Sequence, residues 1–536
     1  MRMTTFKTAM QSLLRAVRDN PFFLKRVRSH LRGSRFYLLM FGYILLMCVV
    51  VGILYTVNVQ NRPGWGYSAM ASWGRSVFIG AMVTQALFVA LIGSLLTATC
   101  IVNEREKQTF DLLRMTTASP AMLVAGEVLA AMGLLSLLLL ASLPIIGLIF
   151  LIGGVSPSEF LLVYTALLLT AALLSTFGVL ISALQEKANR ALGNAIGGLI
   201  LFGFVFSALY GSEATRLLAC VIPLNLFSEL IPGGWASFQV PFFQWNVSPL
   251  APTLVLTPLA ILLMGTLASR KLYDRQARAL STWQMSAVFY GILCCLIAGS
   301  WTKPLVGYIN ALLIMLFLLL VYILNQTTHP DSREILRLKR GRISRPDGFP
   351  LLGLHLVLAN AAVAAWLFVQ GVDIDHPTVL LSALVVTASL LGYWSVVRLM
   401  TFLTRDRSAA IRYGILIIIL LLVLPVLVGG IGLQSSQPIG WEQRIPYEGF
   451  WRMAMMTNPV VALLELQSRM NRLTPPGQWQ EFRAIVDPWV VCCGLHLAIF
   501  SLFLAGASVL QARRNGKLKS KQKAQRKEDS SVVLVS

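Results

Sequence analysis

Few side chains in this sequence have the types and spacing for chemistry. Asp373, Asp375 and His376 form one ligand-like cluster, oxygen and nitrogen donors close enough in sequence to meet a divalent cation. A single short loop makes a poor cage, so the cluster reads as a solvated loop and no metal is assigned. The five histidines, at 30, 329, 355, 376 and 496, are scattered, and there is no phosphate loop, zinc-binding H-E-x-x-H or nucleophile elbow. The seven cysteines include the vicinal pairs Cys294, Cys295 and Cys492, Cys493 but no C-x-x-C spacing, and read as packing residues. The charge-dense stretch Asn103 to Pro120, NEREKQTFDLLRMTTASP, stands apart, wedged between two long apolar runs. If it is helical to Met115, Phe110, Leu113 and Arg114 share a face that Leu112 extends, while Glu104, Arg105 and Lys107 are polar toward its start. Glu104 and Glu106 suit the positive end of the helix dipole. Such a segment can lie in the groove of a partner and carry motion into its flanking spans; the plainer alternative is a charged turn that holds topology.

The elements around it are set by composition. Hydrophobic residues make up 56% of 536 positions and charged residues 13%, with a mean hydropathy of +0.71, which marks an integral membrane protein. Because a spanning helix needs about 20 mainly apolar residues, twelve runs are expected to cross: 36 to 57, 78 to 102, 121 to 153, 160 to 184, 192 to 210, 250 to 269, 286 to 300, 305 to 326, 351 to 370, 378 to 402, 413 to 434 and 486 to 510. The expected fold is all-α, since lipid offers no partner for exposed backbone groups and the runs lack barrel alternation. With both termini cytoplasmic, 36 of the 45 lysines and arginines fall inside. The net charge of +22 is then a topology signal rather than a nucleic-acid footprint, and the basic tail 511–536 reads as a solvated segment touching anionic lipid. No secretory peptide is evident at the N-terminus. The expected location is a bacterial cell (inner) membrane.

Two six-span parts follow from this count, 36–269 and 270–510, preceded by a cytoplasmic N-terminus, 1–35. A faint repeat supports duplication: Asp111 to Met115 echoes Glu334 to Leu338, and Pro223 to Leu230 echoes Pro459 to Leu466. Such a repeat is parallel and fits a pseudo-twofold axis along the membrane normal. Asn20 to Phe36, NPFFLKRVRSHLRGSRF, separates Phe22, Phe23, Val27 and Leu31 from Lys25, Arg26, Arg28 and Arg32, as in an interfacial amphipathic helix; ordinary basic flanking sequence is the alternative. The outer segment 211–249 is too apolar for a solvated loop and is expected to dip into the outer leaflet, either as an aromatic belt or as a re-entrant gate with Trp235 and Phe243 as its residues.

Charge is scarce at membrane depth. Glu127, Arg398 and Asp487 lie near span ends, and His355, Asn194, Asn310 and Asn360 read as interhelical hydrogen-bonding residues. An ion-coupled secondary transporter would need titratable groups there, and a membrane-embedded transferase would need acidic catalytic residues at a membrane face; both are weighed as alternatives. Energy is expected to enter from outside the membrane.

The run NEREKQTFDLLRMTTASPAMLVAGEVLAA, preceded by NPFFLKRVRSHLRGSRF and followed by LPIIGLIFLIGGVSPSEFLLVY, resembles the permeases of the type-2 class of ABC exporters over most of residues 19 to 230. The resemblance implies a coupling helix at about 103–120 that docks on a separate ATP-binding subunit through Glu104, Arg105, Glu106, Lys107, Thr109, Leu112 and Leu113, and a connecting helix before the first span. It implies that ATP and magnesium are bound by that partner, that this chain holds no cofactor and is not itself an enzyme, and that cargo moves outward. In the second part, Thr327, Thr328, His329, Pro330 and Asp331 replace the Glu-Arg-Glu pattern, and Glu334, Leu336 and Arg337 are a possible second coupling segment.

Overall fold

The computed structural model describes residues 34–61, 67–110, 119–211, 215–230, 239–273, 280–301, 349–370, 376–403 and 490–510, with scattered positions in 23–32, 308–321, 413–421 and 457–463. Seven helices among the described residues are long and apolar enough to cross a membrane, so the chain is a predominantly helical membrane-embedded protein. The expected runs 305–326 and 413–434 lie largely outside the described residues, as do the Glu334 to Leu338 segment and the basic tail.

The chain divides into two compact units, Met1–Ala279 and Leu280–Ser536. The first contains α1 (Ser34–Asn61), α2 (Tyr67–Ala98), the short α3 (Cys100–Glu106), α4 (Pro120–Ile152), α5 (Pro157–Leu184), α6 (Ala188–Gly211), α7 (Arg216–Ala219), a 3₁₀ segment (Pro223–Leu230), a hairpin β1 (Val240–Phe242) and β2 (Trp245–Val247), and α8 (Leu250–Tyr273). Helix starts follow local chemistry. Ser119 accepts from the Met122 N–H ahead of a proline at the first helical position, and Ser156 and Glu159 form a reciprocal capping box at α5. α2 begins at Tyr67, earlier than the apolar run at 78, and takes in Arg75, whose charge is met by an ion pair to Glu159 at 3.1 Å.

One buried cluster joins Tyr43 and Met47 of α1, Phe78 and Met82 of α2, Leu135 and Ile146 of α4, Leu167 of α5, and Leu226 of the 3₁₀ segment. The outer segment is therefore partly core: Leu226 is buried, and Thr257 of α8 donates to the Val221 carbonyl at 3.0 Å. A second cluster gathers Cys100, Ile101, Val124, Val128, Val179, Ala183, Ala268 and Leu272. α2 and α5 pack closely against each other. A Cβ at Gly178 of α5 would fall inside the Thr97 hydroxyl and the Ser94 carbonyl, and one at Gly154 (φ +87°), in the linker ahead of α5, inside the Ala71 carbonyl, so backbone meets backbone near both ends of α2.

The second unit contains α9 (Thr282–Gly299), α10 (Phe349–Val369), α11 (His376–Leu403) and α12 (Val490–Leu510). A Ser281–Gln284 capping box starts α9 four residues ahead of the expected run. His355 of α10 bonds Ser286 at 3.0 Å and Tyr290 at 2.8 Å, both on α9. This is the interhelical role read for it in the sequence. Gly392 of α11 lets His496 of α12 approach, a Cβ there standing 3.1 Å from the His496 carbonyl oxygen.

Candidate functional site

The first turn beyond α2 is where the charged residues of the opening motif converge. α2 stops at Ala98, Thr99 makes a turn, and α3 restarts at Cys100. Thr99 supplies no side-chain cap. The free N–H groups of Ile101 and Val102 instead donate to the Ser182 hydroxyl of α5 at 3.0 and 3.1 Å, a cap lent by a neighbouring helix.

α3 ends at Glu106, so the helix expected from Asn103 to Met115 is interrupted at Lys107 to Thr109. Gln108 adopts φ +57°, its N–H donates to the Arg105 carbonyl at 3.0 Å, and the Thr109 N–H donates to the Glu104 carbonyl at 3.0 Å. This paired arrangement is a Schellman motif, which turns the last carbonyls of a helix back on the following chain. It was hidden in the sequence because glutamine, not glycine, holds the left-handed position.

Glu104, Arg105 and Glu106 each have a partner inside the chain. Glu104 accepts from the Thr109 hydroxyl at 2.5 Å and lies 3.8 Å from Arg26. Arg105 donates to the Ala183 and Gln185 carbonyls at 3.1 and 3.0 Å, closing the C-terminus of α5, and its guanidinium stands 5.0 Å from the Phe110 ring centroid. Glu106 accepts from the Ala188 N–H at 2.8 Å, at the start of α6, where the helix dipole favours a carboxylate. Lys107 and Gln108 are exposed. Leu112 and Leu113 lie outside the described residues.

Arg26, read in the sequence only as part of a polar face, ties the N-terminal segment to this junction. Its Nε donates to Glu127 of α4 at 2.8 Å and its Nη2 to the Cys100 carbonyl at 3.0 Å. Burial opposes the Arg26 charge, but Glu127, with lesser help from Glu104, outweighs it and holds the pKa above the ordinary value. Sequence reasoning placed Glu127 near a span end but could not pair it with a residue 101 positions away. Ser182 carried no signal beyond being a small residue in an apolar run.

The membrane-depth polar groups include several that the sequence reading passed over. In the first unit the Gln85 amide donates to Ser142 at 2.6 Å, Ser142 lies 3.4 Å from the Tyr164 hydroxyl, and Tyr43 is buried in the same cluster. In the second, His496 is buried with its Nδ1 2.8 Å from the Cys492 carbonyl and its ring edge-on to Tyr393, centroids 5.3 Å apart. None of these groups forms a cluster of three or more metal-ligating residues among the described residues. Of the two residues read as an outer gate, Trp235 lies outside the described residues and Phe243 is exposed at the β1–β2 turn. Comparison with known proteins adds no relative: no family model matches the chain, and no curated protein matches it significantly.

Proposed function

We propose that the chain is the membrane-spanning permease subunit of an ATP-driven exporter of the type-2 ABC class, moved by a separate ATP-binding subunit that bears on the segment at about 103–120. The partner holds ATP and magnesium. This chain supplies the path and the lever.

One observation supports the reading above the others. Glu104, Arg105 and Glu106 bind, in turn, the N-terminal segment through Arg26, the end of α5 and the start of α6, while Lys107 and Gln108 remain exposed. A load applied at the exposed turn is therefore passed directly to three other parts of the first unit, as a mechanical input requires. In this division of labour Glu104, Arg105 and Glu106 brace the element, Lys107 and Thr109 meet the partner, and Leu112 and Leu113 give the apolar side of the contact. Glu334, Leu336 and Arg337 are the second candidate contact.

Co-expression of the full chain with the ATP-binding cassette subunits of its own organism, followed by detergent pull-down, tests the reading. One such subunit should co-purify, the pair should hydrolyse ATP, and Lys107→Glu should weaken capture while leaving the chain folded. Capture of no ATP-binding subunit, together with nucleotide-free flux driven by an ion gradient in liposomes, would overturn it in favour of a secondary transporter.

A further inference from the structure

Four polar side chains meet in the apolar interior of the first unit, one from each of four helices: Tyr43 of α1, Gln85 of α2, Ser142 of α4 and Tyr164 of α5. Tyr43, Gln85 and Ser142 are buried. Gln85 sits near the middle of α2, a helix long and apolar enough to cross a membrane, where lipid offers a polar group no partner.

The Ser142 proton is committed to the Leu139 carbonyl at 2.7 Å, so the Ser142 oxygen is an acceptor toward its other neighbours. That sets the Gln85 amide: Nε2 donates to Ser142 at 2.6 Å, and Oε1 is left to find a donor elsewhere. The Tyr164 hydroxyl, 3.4 Å from Ser142, can take its second lone pair. Ser142 is then saturated. Two buried atoms remain, the Tyr43 hydroxyl and Gln85 Oε1, and neither has a hydrogen-bond partner among the described residues. Ser142, Gln85 and Tyr164 act on the Tyr43 hydroxyl without standing in hydrogen-bond geometry to it. The Tyr43 ring is held against Phe88, centroids 4.7 Å apart. One cluster thus contains an unused donor and an unused acceptor, an arrangement costly to keep dry.

We infer that Tyr43, Gln85, Ser142 and Tyr164 form an internal water-binding site, in which one water accepts from the Tyr43 hydroxyl and donates to Gln85 Oε1. Water is the smallest molecule that offers an acceptor and a donor at once. Its second proton suits the Tyr164 oxygen, which completes the set of about three bonds typical of buried water. A bare cation fits poorly, because the four groups are neutral and a buried charge needs a counter-charge. Bound there, the water ties α1 to the other three helices. Of the described residues of α1 only Tyr43 and Met47 are buried, so the bridge gives a polar attachment to a helix whose other buried side chain is apolar. The inference rests on the hydrogen bonds of the first unit and stands apart from how transport is powered.

Water-edited solid-state NMR of the full chain in deuterated phospholipid, with isotope-labelled glutamine side chains, tests it. The Gln85 amide is assigned by its loss in Gln85→Met, and the exposed Gln108 serves as reference. Water magnetisation should reach both amides, and a soluble gadolinium chelate should quench the transfer at Gln108 while sparing it at Gln85. Tyr43→Phe should abolish the transfer to Gln85, whereas Tyr37→Phe, which removes an exposed hydroxyl from the same helix, should leave it intact. If Tyr43→Phe fails to fold, transfer and chelate resistance in the unsubstituted chain decide the outcome. No transfer to Gln85 while Gln108 shows it, quenching of both by the chelate, persistence in a folded Tyr43→Phe, or a Gln85 resonance that moves when sodium and potassium are exchanged for choline would each overturn the inference.

Discussion

Replacing Arg26 by alanine removes the fork that joins the N-terminal segment to α4 and to the start of α3. Two hydrogen bonds go with it, to Glu127 at 2.8 Å and to the Cys100 carbonyl at 3.0 Å, together with the 3.8 Å approach to Glu104. The Arg26 and Glu127 side chains are 23% and 17% exposed, so the pair lies between an exposed ion pair, worth about 0–1 kcal/mol, and a fully buried one, where removing a partner costs about 3–5 kcal/mol. A loss of about 2–3 kcal/mol is expected. At 1.36 kcal/mol per factor of ten, this is about 30- to 150-fold in the local opening equilibrium. Hydrogen exchange of the amides of Lys107, Gln108 and Thr109, all bonded within this turn, should accelerate by that factor in Arg26→Ala. Arg26→Lys should recover only part of it, since one ammonium cannot reproduce the planar fork. The cycle with Glu127→Gln should show a coupling of about 1–2 kcal/mol. Additive effects, or unchanged exchange in Arg26→Ala, would refute the claim that this arginine fixes the junction.

Four other substitutions probe the same unit. Gly178→Ala drives a methyl into the Thr97 hydroxyl and the Ser94 backbone, so thermal unfolding in detergent should show a loss of about 3 kcal/mol or failure to fold, whereas Gly42→Ala, with nothing within 4 Å of its Cβ, should be tolerated. Ser182→Ala leaves the Ile101 and Val102 N–H groups without their acceptor and should cost about 1–3 kcal/mol in the same assay; a neutral result would mean that the cap is replaceable. Gln108→Gly relieves the left-handed strain at φ +57° and should raise stability by about 0.5–1 kcal/mol, and an unchanged or lower midpoint would count against the turn geometry.

The apolar runs were legible because lipid imposes a length and a composition that few other environments demand. The expected runs 121–153, 160–184 and 378–402 lie within two or three residues of α4, α5 and α11. What escaped was contact across sequence distance. Nothing local marks Arg26 as the partner of Glu127, or Ser182 as the cap of α3, since both depend on how helices cross. The break at Lys107 escaped because the usual glycine signal is missing at Gln108. The outer segment was read as a membrane-dipping loop with aromatics at the interface. Within that segment Leu226 enters the core, a position that hydrophobicity permits but cannot assign. His496 was treated as one more scattered histidine, though its depth in α12 was open to periodicity.

The backbone approaches that lock α2 to α5 have a mechanical corollary. Gly178 of α5 nests against Thr97 and Ser94 near the end of α2, and Gly154, in the linker ahead of α5, nests against Ala71 near the start of α2. Close backbone approach at two separated places resists sliding of one helix along the other. If the turn beside Cys100 is loaded as proposed, the two helices are expected to move together, with compliance in this unit supplied by helices outside that pair.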